Sequence, residues 1–263
     1  TVTPTATSTP AGSFTIELTP VSDARIDATV PNTNMGNWQS LAFGWRSSIP
    51  SVSSDLPGAS PSSLLYFGNI TQYLPAGYHI RSAKLRFWAY SGGWTTTSTS
   101  ITLTVHALGR TFDEANVTWL DTGFFALWDK PGALSPSDYN TTTEDTIFLY
   151  PAAVQRQFFS FDVTDLVRDW LTGAQPNFGL KVQSKACVNT TSSATPCDGW
   201  VSVASSENVV YYDTFRNYSY RPVLVLDFTS SSATPTPTRT PTNTPTPPAT
   251  ATATPLYCWR TSN

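Results

Sequence analysis

The chain has 263 residues with a net charge of −3, and charged residues make up only 13% of it. Hydrophobic residues reach 40%, including 9 Trp, 11 Tyr and 14 Phe, enough for a sizeable core. This balance offers no basic surface for nucleic acid, and no apolar run approaches the ~20 residues of a membrane-spanning helix.

Composition divides the chain into a Thr/Pro-rich N-terminal arm (1–12), a folded domain (13–229), a Thr/Pro-rich spacer (230–255) and a C-terminal anchor segment (256–263). The chain opens on "TVTPTATSTPAG" without a Met, and it reads as a processed chain or a portion of a longer one. Within the folded domain, period-two alternation dominates. "SFTIEL" (13–18), "SLLYFG" (63–68), "AKLRFWAY" (83–90) and "SITLTVHAL" (100–108) predict strands. "TIFLY" (146–150), "QFFSFDV" (157–163), "FGLKVQS" (178–184), "WVSVAS" (200–205) and "RPVLVLDF" (221–228) continue the series. In "AKLRFWAY", Leu85, Phe87 and Ala89 face inward, and Lys84, Arg86 and Trp88 outward. In "SITLTVHAL", Ile101, Leu103, Val105 and Ala107 face inward, which turns Thr102, Thr104 and His106 to solvent. The expected fold is an all-β, jelly-roll-like antiparallel sandwich.

One segment breaks the rhythm. "DVTDLVRDWLTG" places Val163, Leu166, Val167, Trp170 and Leu171 on one helical stripe, predicting a short amphipathic helix at about 162–172. Asp162 or Thr164 is expected to cap its start, and Gly173 its end.

Candidate chemistry is sparse. Ser-His-Asp catalysis would need His79 or His106, the only histidines, and no nucleophile elbow, zinc-protease pair or phosphate loop accompanies them. Asp113 and Glu114 read as a solvated turn, and Asp162, Asp165 and Asp169 as acids favoured around a helix start. The chain is therefore expected not to be an enzyme. Asp23, Asp27, Asn32 and Asn34 form an oxygen-rich turn that suits a structural calcium ion. Pro31, Asn34 and Gly36 also account for that turn by backbone conformation alone, which is the simpler reading. Sugar binding needs exposed aromatic planes, and Trp38, Trp45, Trp88, Trp94 and Trp128 stand beside polar turns or on outward positions. Core or interface packing is the competing role for each.

Cys187 and Cys197 bracket the polar loop "CVNTTSSATPC" and are expected to form a disulfide, with Cys258 left unpaired within the chain. Asn69, Asn116, Asn140, Asn189 and Asn217 head Asn-x-Ser/Thr sequons and are candidates for glycosylation, as are the spacer threonines. With Lys scarce, these features point to an extracellular, bacterial cell-surface location.

A family resemblance joins these pieces. "RIDATVPNTNMGNWQSLAFG" (25–44), "SLLYFGNITQYLPAGYHIRSAKLRFWAY" (63–90), "TFDEANVTW" (111–119), "DVTDLVRDWLTGAQPNFGLKVQS" (162–184) and "RPVLVLDF" (221–228) occur in the order of a DNRLRE-type domain. That domain is similar to a family of carbohydrate-binding modules on bacterial secreted and surface proteins. The resemblance implies an exported, non-enzymatic jelly-roll sandwich. The chain departs from the family in having "YFGN" after the "SLL" strand, and it lacks the acidic-Asn-Arg string that names the group.

Two functions follow as expectations. The first is a structural glycoprotein, a subunit of an extracellular filament that polymerises with copies of itself through its extended tails. An extended tail can satisfy the unpaired edge of a neighbour's sheet. The second is a polysaccharide-binding module tethered by the Thr/Pro segment.

Overall fold

Alternating side chains along the strands set the inner faces of two antiparallel sheets. The computed structural model describes residues 12–45, 61–94, 101–150, 156–184, 199–208, 212–213 and 218–230. In chain order the strands are β1 (Ser13–Leu18), β2 (Ser22–Ile26), β3 (Ser40–Trp45), β4 (Ser62–Tyr66), β5 (Tyr78–Trp94), β6 (Ile101–Ala107) and β7 (Asp145–Leu149). They continue with β8 (Gln157–Asp162), β9 (Leu180–Ser184), β10 (Gly199–Ala204), β11 (Tyr212–Asp213), β12 (Tyr218–Ser219) and β13 (Val223–Ser230). Helix α1 (Thr164–Thr172) follows β8.

The first sheet runs β1-β13-β5-β10-β3, with β8 also on β5. The second runs β2-β4-β9-β6-β7, and β11 and β12 form a separate small ribbon. Between the sheets lies the main core, in which Leu85, Phe87 and Ala89 meet Leu103, Val105 and Ala107, as the alternation predicts. Phe87 packs edge-on against Phe43 and Phe161, with ring centroids 5.5 and 6.3 Å away. The helix lays Leu166, Val167 and Trp170 onto this core. At the helix start the cap position falls on Val163, which has no capping side chain, rather than on Asp162 or Thr164. Asp162, one residue earlier, accepts the Thr164 N–H at 2.9 Å, while Gly173 ends the helix at φ 75 in the left-handed region, as expected. The Thr164 hydroxyl instead accepts the Ala83 N–H at 2.9 Å and ties the helix to β5.

The outer face of the second sheet departs from the expected pattern. His106 is buried, as are Thr104 and Lys181 beside it. The cause is residues 108–144, which fold back over this face and build a second apolar cluster. There Phe112, Val117, Trp119, Trp128 and Ala133 pack on Ala24, Ile26 and Leu64. His106 Nδ1 lies 3.1 Å from the carbonyls of Asn140 and Thr142, so it carries the proton. Nε2 is left to accept from the Thr104 hydroxyl at 3.0 Å. Burial holds this imidazole below its ordinary pKa and keeps it neutral.

Two polar side chains pin the covering segment. Asp138, fully buried, accepts the backbone N–H groups of Asp129 and Lys130 at 3.0 Å and of Ser135 at 3.3 Å, and Arg110 Nε lies 3.2 Å away. Lys181 Nζ donates to the carbonyls of Gly132 at 2.9 Å and Ala133 at 2.7 Å, and stands 4.6 Å from the Tyr139 ring centroid. Truncating Asp138 strands three backbone donors and leaves Arg110 Nε without its buried carboxylate, so Asp138→Ala is expected to cost on the order of 3 kcal/mol, measured by urea unfolding.

Burial pushes the Lys181 ammonium down to about 7, partly offset by the charge of Asp138. Between about 7 and the ordinary 10.5, the unfolded chain therefore holds more of this proton than the folded chain. The contribution of Lys181 to stability climbs as pH rises through that window and is flat below it. The urea midpoint of the native chain is expected to rise between pH ~9 and pH ~10.5, above the range in which the buried Asp23 carboxyl loses its proton. Lys181→Met should remove most of that slope whatever its own stability, and an identical slope in the variant refutes the assignment.

Candidate cation centre and the aromatic surface beside it

β2 reads "SDARI", and its side chains meet protein on both sides of the sheet. Asp23 points into the structure and is fully buried. Its own N–H donates to Glu114 Oε1 at 2.9 Å, and its Oδ2 accepts the Ser206 N–H at 2.8 Å. The Ser206 hydroxyl in turn donates to Glu207 Oε1 at 2.5 Å. Asp23, Glu114 and Glu207 thus each offer a carboxylate oxygen within 4.8 Å of the others.

Each acid is fixed by local backbone chemistry. Asp113–Val117 is a tight turn in which Asp113 O accepts the Asn116 and Val117 N–H groups. Asn34 clamps that turn by donating its amide to the carbonyls of Glu114 and Val117, both at 2.8 Å. Gly36 lies so close that an added Cβ would sit 2.0 Å from the Glu114 carbonyl oxygen. On the other side Ser205 donates its hydroxyl to Trp38 O at 2.6 Å, and Asn208 its amide to Gln39 O at 2.8 Å.

The electrostatics of the group are unfavourable without a counter-charge. Burial first, then the neighbouring Glu207 and Glu114, push the Asp23 carboxyl up to about 8. Burial also raises Glu114, with Glu207 and Asp113 adding to it. Asp23 Oδ1 and Glu207 Oε2 are buried and receive no hydrogen bond.

Of the acids and amides expected to gather around calcium, only Asp23 belongs to this group. Asp27 pairs with Arg25 and accepts the Thr29 N–H at 2.9 Å, Asn34 holds the Glu114 turn, and Asn32 is exposed. Glu114, read from sequence as part of a solvated turn, is half-buried.

The candidate tryptophans separate into distinct environments. Trp38 is 45% exposed, next to the Ser205–Asn208 turn, with the Arg25 guanidinium 5.8 Å from its ring centroid. Trp88 is half-buried, with ring centroids of Phe158 and Tyr220 at 4.7 and 4.6 Å. Trp128 is no surface platform. It is buried in the second apolar cluster and donates its indole N–H to Thr118 O at 3.1 Å. The side chains of Trp45 and Trp94 lie outside the described residues. The sequence reading passed over "GFFAL", where Phe124, Phe125 and Leu127 are exposed on a hairpin bonded to the Glu114 turn through Asp113 N–H and Thr122 O at 2.8 Å. Phe125 sits at φ 59, a conformation rare for an aromatic residue.

Asn69, Asn116 and Asn140 are exposed, while Asn189, Asn217, Cys187, Cys197 and Cys258 lie outside the described residues. So do residues 1–11 and 231–263, on which assembly through the tails was expected to rest. Among the described residues no helix is long and apolar enough to cross a membrane. In comparisons with known proteins, the chain matches no family model and no curated protein.

Because Gly36 and the Glu114 carbonyl are in direct apposition, Gly36→Ala is expected to force the two turns apart and to cost about 1–3 kcal/mol or more by thermal unfolding. A variant as stable as the native chain would show that the turns part without cost.

Proposed function

We propose that this chain is a non-catalytic, exported carbohydrate-binding module, displayed at the bacterial cell surface on its Thr/Pro-rich segments. The observation that carries the reading is the position of Trp38. Trp38 is 45% exposed, and its ring is braced by Arg25, which is itself held by Asp27. An aromatic face stacks on the C–H face of a sugar ring, and Gln39 and Arg25 supply hydrogen-bonding groups nearby. The place of Trp38 in the sandwich supports this reading. Gly12 and Ser230 hydrogen-bond to each other where the arm and spacer join the domain, beside Tyr78 at the start of β5. Trp38 lies instead by the end of β10, which pairs with Ala89 of β5. At about 3.3 Å per strand residue, Tyr78 and Ala89 are roughly 36 Å apart along β5. The module would be held at one place and present its aromatic surface at another. The resemblance to the DNRLRE-type domain, and through it to bacterial carbohydrate-binding modules, points the same way.

Affinity electrophoresis against soluble neutral and acidic polysaccharides tests the proposal. Retention by at least one polymer is expected, with Trp38→Ala weakening it by about tenfold or more while the melting temperature stays unchanged. Absence of retention by every polymer, or retention indifferent to Trp38→Ala, overturns it.

The filament reading keeps one specific support: β1 is an edge strand that pairs only with β13 among the described residues. An extended segment of a second copy could add to that edge. Negative-stain images of the native chain and of a 231–263 deletion separate the readings. Fibres that vanish on deletion favour the filament, and dispersed monomers in both favour the tethered module.

A further inference from the structure

We infer that Asp23, Glu114 and Glu207 are the protein ligands of one divalent hard cation, calcium, which joins β2, the Asp113–Val117 turn and the Ser205–Asn208 turn. Clustered acids alone would not carry this. The deciding observation is that the fully buried Asp23 keeps Oδ1 without a hydrogen-bond donor, and that Glu207 Oε2 is buried in the same condition. Buried carboxylate oxygens are costly unless something positive meets them. No Lys or Arg of the described residues pairs with any of the three acids.

The scaffold bonds account for one oxygen of each carboxylate. Ser206 N–H holds Asp23 Oδ2, the Ser206 hydroxyl holds Glu207 Oε1, and Asp23 N–H holds Glu114 Oε1. Such bonds fix the orientation of a ligand while leaving its other oxygen available, as outer-shell partners of metal sites do. One oxygen from each acid lies within 4.8 Å of the others, a span that one ion with oxygen contacts of about 2.4 Å can bridge. The donors are all carboxylate oxygen, without the imidazole or thiolate that would favour zinc. Calcium takes irregular oxygen sets and completes its shell with water, whereas magnesium demands a near-ideal octahedron. The three acids come from positions 23, 114 and 207, so the ion would lock together turns that are remote in the chain.

The test uses the full chain, treated with chelator and titrated with calcium chloride in the absence of any polysaccharide, so its result is independent of the sugar-binding proposal. Calorimetry is expected to give one calcium per chain, and the melting temperature to rise with calcium concentration. Glu114→Gln and Glu207→Gln should each weaken calcium binding on the order of tenfold or more. Asp23→Asn should change sign with conditions: relative to the native chain it melts higher without calcium, because a neutral amide avoids the cost of burying a carboxylate or taking up a proton on folding, and lower with calcium. Magnesium at the same concentration should give a smaller shift. The inference is overturned if millimolar calcium leaves both heat and melting temperature unchanged. It is equally overturned if the glutamine variants bind calcium as the native chain does, or if magnesium stabilises as strongly as calcium.

Discussion

The outer face of the second sheet cannot be left in water, and the rest of the molecule is arranged around covering it. Ala24, Ile26 and Leu64 face that way, and residues 108–144 close over them without forming a regular layer of their own. A long irregular segment has many backbone donors and acceptors that no ladder satisfies. Asp138 gathers three backbone N–H groups and Arg110 onto one buried carboxylate. Lys181, reaching up from β9, satisfies two carbonyls of the same segment. These two hydrogen-bonding side chains give the covering layer a fixed shape, and that shape brings the Glu114 turn against β2.

Much of the sandwich was legible because its strands are wetted on one face. β1 spans the predicted 13–18, and Leu85, Phe87 and Ala89 point inward while Lys84 remains exposed. The reading failed where the second face is also covered. β2 escaped notice because "SDARI" has no dry and wet side to alternate, and it was read as a turn. His106 was turned outward by the same logic, correct in phase but blind to the layer above it. Trp128 was judged by its polar neighbours, yet a tryptophan can bury its ring wherever its single N–H finds a carbonyl.

The acidic group was hidden for a different reason. A motif is visible when its members share one element and a fixed spacing, and Asp23, Glu114 and Glu207 share neither. Asp23 was singled out, but with companions chosen by proximity in sequence. Asp27 and Asn34 prove to be occupied with Arg25 and with the Glu114 turn. Only the strand register and the covering segment bring the three carboxylates together.

The pairing of Gly12 with Ser230 has a mechanical meaning. β1 and β13 run antiparallel from that point, with Ser13 opposite Thr229 and Leu18 opposite Leu224. Tension drawing the two adjoining segments apart meets the strand pair at its open end and loads the hydrogen bonds one after another, as in a zipper. Load entering from opposite ends would shear all the bonds together. Under such traction β1 is the first strand to peel away, while β5, bonded to β13, β8 and β10, stays anchored in the sheet.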